Sequence, residues 1–222
     1  MNFCETLFYK ILKTRYDNLF EDIVGYDHLK RLFRMALDSE SVIHILLVGP
    51  PASAKTMFLT SLMHRLKDCY FTDGGNSTKS GMIDYLFADR PRYLLVDEID
   101  KMSNKDQAFL LNLMETGIVS ETKYGKTRTA QIKASVFATS NNVDRISVPL
   151  QSRFFIVELE PYTFTQFHEI AEKLLSDHKV QGAVADVIAE AVWNKSQDIR
   201  DCVKIGAMAK SVEDVMFLVQ NF

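Results

Sequence analysis

The chain has 222 residues, 47 % of them hydrophobic and 25 % charged, with a net charge of −3. This supports one medium domain, or one with a small companion, and excludes a whole-molecule field that would recruit nucleic acid. Cys4, Cys69 and Cys202 form no C-x-x-C pair, so neither a disulfide framework nor a cysteine zinc site is indicated, in keeping with a reducing cytoplasm.

The first stretch, "MNFCETLFYKILKTRYDNLF", is interrupted by Glu5, Lys10 and Lys13. It therefore reads as neither a signal peptide nor a spanning helix. Residues 1–19 are predicted as a helical extension whose Phe3, Leu7, Ile11 and Leu12 pack on this protein or a neighbour; a membrane surface is the weaker alternative. Helical spacing follows over 27–38, with Leu29, Leu32, Phe33 and Ala36 on one face. The apolar run 42–49 ends in Gly-Pro-Pro and reads as a buried strand. Residues 55–67 return to helical spacing, 69–72 suit a strand, and 73–81 are turn-rich. A second buried strand spans 92–100. A helix over 103–117 takes Ser103 as its N-cap and stops at Gly117. The alternating stretch "IVSETKYGKTRTAQIKA" turns around "YGKT" as a β-hairpin, and 134–142 is a further strand.

Strands alternating with helices predict a parallel sheet covered on both faces. Beyond 163 only helical segments occur, near 164–177, 182–194 and 198–219. The chain thus divides into an α/β domain over 20–160 and a small all-helical lid over 161–222.

Chemistry concentrates at the ends of the predicted strands. "VGPPASAKTMFL" places Gly49, Lys55 and Thr56 at phosphate-loop spacing, with Ala54 where a glycine is usual. A strand running through a loop into a helix start offers N–H groups to phosphate. Lys55 would reach the outer phosphates and Thr56 would offer its hydroxyl to magnesium. Glycine is required only where φ is positive or a Cβ collides, so Ala54 is tolerable at a helix start; Ala52 raises the same question inside the loop. Asp97 and Glu98 end a strand expected beside the phosphate-loop strand, where the first can hold Mg²⁺ and the second polarise water. Two acids after a strand also suit a solvated turn. Asn141 is placed to orient that water, or belongs with Asn142 to a turn. Arg153 suits stabilisation of a transferring phosphoryl group, or a surface ion pair. Arg200 would reach over the nucleotide, or pair with Asp198 or Asp201. The five histidines show no ligand spacing.

These motifs, in this order, resemble an AAA+ ATPase over roughly residues 20–215. "GPPASAKT" is similar to Walker A, "LLVDEID" to Walker B, "FATSN" to sensor 1, "PLQSRF" to the arginine-finger segment and "DIRDCVK" to the sensor 2 helix. The resemblance implies a P-loop α/β fold with a helical lid, ATP and Mg²⁺ as cofactors, and a ring, most often a hexamer. It places Ile23, Val24 and Gly25 against adenine, and Gly49, Pro50, Pro51, Ala52, Ser53, Ala54, Lys55, Thr56 and Met57 around the nucleotide. Thr56 and Asp97 would attend magnesium and Glu98 would be the catalytic base. Asn141 would be sensor 1, Arg200 sensor 2, and Arg153 the finger offered to the next subunit.

Within the family, "YFTDGGNSTKSGMIDYLFA", "KMSNKDQAFLLNLMETG" and "SVPLQSRFFIVELEPYTFTQFHEIAEKLL" are most similar to the RuvB branch-migration helicases. Members of the RuvB-like, MCM-like and MoxR-like groups carry a hairpin before sensor 1, and the last two commonly have "AK" in Walker A. This resemblance makes Ala54 compatible with an active loop. RuvB-type helicases continue into a DNA-contacting winged-helix domain that this sequence does not show, so the resemblance bears more on the ATPase than on its substrate.

The hairpin sets Lys123, Lys126, Arg128 and Lys133 against one acid, Glu121. Such a tip can track a phosphate backbone, or merely protect an exposed edge. Tyr85 and Phe87 suit a packed helix better than a polypeptide grip. The leading expectation is a DNA-acting motor that migrates junctions or remodels DNA, with room for a partner protein that supplies DNA contacts. A MoxR-like protein remodeller and an ATP-gated assembly module without turnover are the alternatives.

Overall fold

The computed structural model describes residues 16, 18–51, 53–123 and 125–221. Most of the expected extension over 1–19, together with Ala52 and Tyr124, lies outside the described residues. By packing, the chain falls into two units: residues up to Gly49 with Ala54–Leu159, and Pro50–Ser53 with the chain from Glu160 onward.

In the first unit, helix α1 (Asp27–Asp38) precedes strand β1 (Ile45–Val48). Helix α2 (Lys55–Arg65), strand β2 (Cys69–Asp73), helix α3 (Lys79–Asp89) and strand β3 (Tyr93–Asp97) follow. A 3-10 turn at Ile99–Lys101 leads into α4 (Asn104–Thr116). The hairpin β4 (Ile118–Lys123) and β5 (Lys126–Gln131) then returns the chain to β6 (Ser135–Ser140). A short helix α5 (Val148–Gln151) and strand β7 (Phe155–Glu158) close the unit.

Five strands form one parallel sheet in the order β2-β3-β6-β1-β7. Its central strands are apolar on both faces, as a sheet covered on both sides requires. Leu46, Leu94, Val96 and Val136 pack with Met82, Leu86 and Leu110 on one side. On the other, Phe33, Phe58 and Phe137 meet with ring centroids 5.3 to 5.5 Å apart. The period-two alternation of strand side chains produces this division.

Three features depart from the sequence reading. The strand carrying Asp97 is not next to β1, because β6 inserts between them; its fully buried Val136, Phe137 and Ala138 need neighbours on both sides. Helix α3 begins inside the turn-rich stretch, where Thr78 Oγ1 accepts from the N–H of Gly81 at 3.2 Å and caps it. The segment 155–158 is an edge strand, with Phe155 59 % exposed, so it lacks the burial pattern that would announce a strand.

The second unit contains α6 (Phe164–Asp177), α7 (Ala183–Lys195), α8 (Ile199–Met208) and α9 (Val212–Asn221). Thr163 and Gln166 form a capping box at the start of α6. Phe167, Leu175, Ile188, Cys202 and Ile205 make a core of their own. His168 lies between Glu172 and Asp186, at 3.8 and 3.5 Å. The single helix expected over 198–219 is two. Asp214 accepts from the N–H groups of Lys210 and Ser211 at 2.9 and 3.0 Å, and Ser211 Oγ accepts from Asp214 N–H at 3.2 Å. This local capping ends one helix and starts the next. Among the described residues no helix is long and apolar enough to cross a membrane.

Candidate active site

Strand β1 ends at Val48, and Gly49 N–H still donates to Ser140 O of β6 at 3.3 Å. Ser53 then folds back on Pro50, its N–H and hydroxyl reaching Pro50 O at 3.4 and 2.8 Å. Ala54 caps α2 with φ −59 and ψ 10. That conformation is open to any L-residue, so the backbone at 54 has no need of glycine.

Lys55 is 5 % exposed and donates to Gly49 O at 2.9 Å. Burial pushes its ammonium pKa down, while Asp97, Asp100 and Glu98 pull it back up. The three carboxylates thus offset part of the cost of burying this cation. Beside it, Thr56 Oγ1 lies 3.3 Å from Asp97 Oδ1.

Thr139, 1 % exposed on β6, joins the two acids. Its hydroxyl donates to Asp97 Oδ1 and accepts from Glu98 N–H at 2.9 Å. Glu98 itself adopts φ 51 and ψ 49. A left-handed non-glycine residue persists only where its surroundings over-determine it, and here they do. Gly74 N–H donates to Asp97 O at 2.7 Å, and a Cβ on Gly74 would stand 2.3 Å from Glu98 O. Lys101 N–H closes the turn on Glu98 O at 2.9 Å. The Glu98 carboxylate receives Asn141 Nδ2 on Oε1 at 3.3 Å and Lys101 Nζ on Oε2 at 2.5 Å. That contact raises the pKa of the Lys101 ammonium. Asn141 N–H is anchored on Asp100 Oδ1 at 3.2 Å. Lys55, Thr56, Asp97, Glu98 and Asn141 thus gather at the carboxyl end of the parallel sheet, where ligands of such sheets bind. Thr139 and Gly74 join them without having been singled out by the sequence. Thr139 is signalled only as one of two polar residues, with Ser140, at the end of the "VFATS" run.

The remaining expected residues have contacts of their own. Ile23 is buried and its carbonyl accepts from Lys30 Nζ at 2.5 Å; Val24 is half-buried, and Gly25 has φ 69. Met57 is half-buried on α2. Arg153 is ion-paired with Glu115 of α4. Arg200, in the second unit, pairs with Asp198 through Nε at 2.9 Å and Nη2 at 2.6 Å, the local partner the sequence offered as an alternative. That pair holds the Asp198 carboxyl below its usual range.

The hairpin has more acid than its own sequence suggests. Asp84 of α3 lies 3.1 Å from Lys123 and also meets Arg128, while Glu121 lies 3.0 Å from Lys123 and 2.6 Å from Arg128. Arg128 also stacks over Phe87 at 4.3 Å. Two of the four basic residues are therefore neutralised in place. Lys126 and Lys133 make no ion pair among the described residues.

Residues 45–162, more than half of the chain, match the model of the ATPase family associated with various cellular activities (AAA). The chain belongs to this family. It is 27 % identical over 214 residues to the DNA replication licensing factor mcm-6 of Caenorhabditis briggsae, covering 77 % of this chain and 26 % of that protein. Against zygotic mcm6-A of Xenopus laevis it is 26 % identical, over 72 % of this chain and 25 % of the relative. The chain therefore spans about a quarter of the length of these relatives. Among solved structures, the RuvB Holliday junction branch migration motor of Thermotoga maritima superposes with a TM-score of 0.68 at 21 % identity, over 91 % of this chain and 72 % of that one. At that identity the likeness is one of fold.

Proposed function

We propose that the protein is a Mg²⁺-dependent ATPase whose turnover drives a DNA-acting motor. The observation that carries the proposal is the continuous chain of contacts from Thr56 through Asp97 and Thr139 to Glu98 and Asn141. Lys55 and the loop from Gly49 to Thr56 bind the phosphates of ATP, with Met57 behind them, and Ile23, Val24 and Gly25 bound the adenine. Thr56 and Asp97, hard oxygen donors 3.3 Å apart, suit Mg²⁺. When bound, the ion would neutralise charge on the phosphates. Glu98 takes the proton of the attacking water, and Asn141 orients both. Arg200 acts on nucleotide in the same subunit. Arg153 leaves Glu115 to reach the nucleotide of the next subunit, so activity requires a ring, with six subunits as the family's commonest number. The relatives' roles in DNA replication licensing and Holliday junction migration favour a DNA substrate, helped by a partner protein that supplies further DNA contacts, and a cytoplasmic setting goes with this reading.

The internal pairing of Lys123 and Arg128 favours a second reading, a remodeller of protein clients, because it leaves Lys126 and Lys133 as the free cations of the hairpin among the described residues. ATP hydrolysis measured against protein concentration, with and without branched and single-stranded DNA, separates the two. The DNA-motor reading expects turnover that rises with concentration, increases with DNA and is lost in Arg153→Ala. Turnover indifferent to DNA supports a protein client. ATP binding without turnover in any form would leave a nucleotide-gated assembly module.

A further inference from the structure

The backbone of Glu98 is fixed at three points: Thr139 accepts from its N–H, Lys101 N–H donates to its carbonyl, and Gly74 abuts that carbonyl. Only its side-chain torsions remain to bring the carboxylate to a reacting water. Both oxygens are engaged, and unequally. The Asn141 amide approaches at 3.3 Å, whereas the Lys101 ammonium sits at 2.5 Å. A charge-assisted bond is the stronger of the two.

Lys101 is there because of the 3-10 turn at Ile99–Lys101, in which residues three apart share one side. Its stem runs beside Gly75, where a Cβ would lie in ordinary contact at 3.5 Å from Lys101 Cδ. A second carboxylate, Asp73, also acts on the Lys101 ammonium.

We propose that Lys101 is a positioning residue that holds Glu98 in a resting rotamer, and that each turnover exchanges the Glu98–Lys101 contact for one between Glu98 and the attacking water. The inference rests on the reading of Glu98 as the base. The pair is partly solvated, Lys101 being 49 % and Glu98 30 % exposed at the side chain, so the restraint is mild.

The test compares Lys101→Met, Lys101→Gln and Lys101→Arg in the full chain, each with Glu98 intact and as Glu98→Gln, reading kcat and KM for ATP. Both neutral variants should raise kcat about two- to fivefold, with KM changed by less than about twofold. Lys101→Arg, which preserves the ion pair, should return kcat to the wild-type value. An unchanged or reduced kcat in the two neutral variants, with Glu98→Gln inactive, overturns the inference and leaves the reading of Glu98 standing. Turnover that survives Glu98→Gln, or none in any form, overturns both.

Discussion

The closest approach in the site gives a sharp prediction for Gly74→Ala. The added methyl would lie 2.3 Å from Glu98 O, 3.0 Å from Glu98 C and 3.1 Å from Met102 Cγ. Ordinary contact with a carbonyl oxygen needs roughly 1 Å more, and neither backbone can supply it freely. Gly74 N–H is tied to Asp97 O at 2.7 Å, and Glu98 O receives Lys101 N–H at 2.9 Å. Overpacking of this kind costs about 1–3 kcal/mol, and loss of the Gly74–Asp97 hydrogen bond adds about 1 kcal/mol. A destabilisation of about 2–4 kcal/mol should lower the urea midpoint by about 1 M or more. A base displaced by even a fraction of that distance should cut kcat by about tenfold to a hundredfold, whereas ATP affinity, set mainly by the loop and Lys55, should change far less. Urea unfolding followed by far-UV circular dichroism, alongside steady-state hydrolysis and ATP titration, reads all three quantities. A variant with wild-type midpoint and wild-type kcat would refute the claim that Gly74 clamps Glu98.

Two further outcomes follow from buried polar groups. Burial lowers the pKa of His44 from 6.5 to about 4, and its Nδ1 accepts from Val136 N–H at 3.1 Å, which requires the neutral ring. Because the folded value lies below the unfolded one, this stabilisation is complete above pH 6.5 and is lost as pH falls toward 4. The loss amounts to at most about 3 kcal/mol, and urea unfolding at pH 7.5 and 4.5 should show it in the wild type and much less of it in His44→Gln. Thr139→Val keeps the shape but leaves the Asp97 carboxylate and Glu98 N–H without their shared hydroxyl, at a cost of about 1–3 kcal/mol. It should also lower kcat, while Thr139→Ser retains most of it; equal kcat in the two variants would rule out a role for the hydroxyl.

The parts of the site written as spaced motifs were legible in the sequence. Gly49, Asp97, Glu98 and Asn141 each follow or end an apolar run, Lys55 and Thr56 open the helix after the first of these runs, and a parallel sheet brings such ends together at one edge. What escaped notice depends on tertiary placement. The Asp84–Arg128 pair joins residues 44 apart in sequence, so no local count of hairpin charges can include it. The insertion of β6 between β3 and β1 follows from a crossover, and periodicity does not encode strand order. Gly74 looks like half of an ordinary Gly-Gly turn until the carbonyl of Glu98 is set against it. The break between α8 and α9 hangs on one carboxylate, Asp214, capping two N–H groups, and residues 209–211 between the helices hold no proline or glycine to announce it.

The central claim is that Glu98 drives hydrolysis at a site whose nucleotide binding depends on other residues. Phosphate release and ATP binding by wild type and Glu98→Gln, measured side by side with Mg²⁺, test it most directly. The account predicts that the variant binds ATP within about threefold of the wild type while turnover falls by about a hundredfold or more. Turnover undiminished in Glu98→Gln, or ATP binding lost together with turnover, would contradict it.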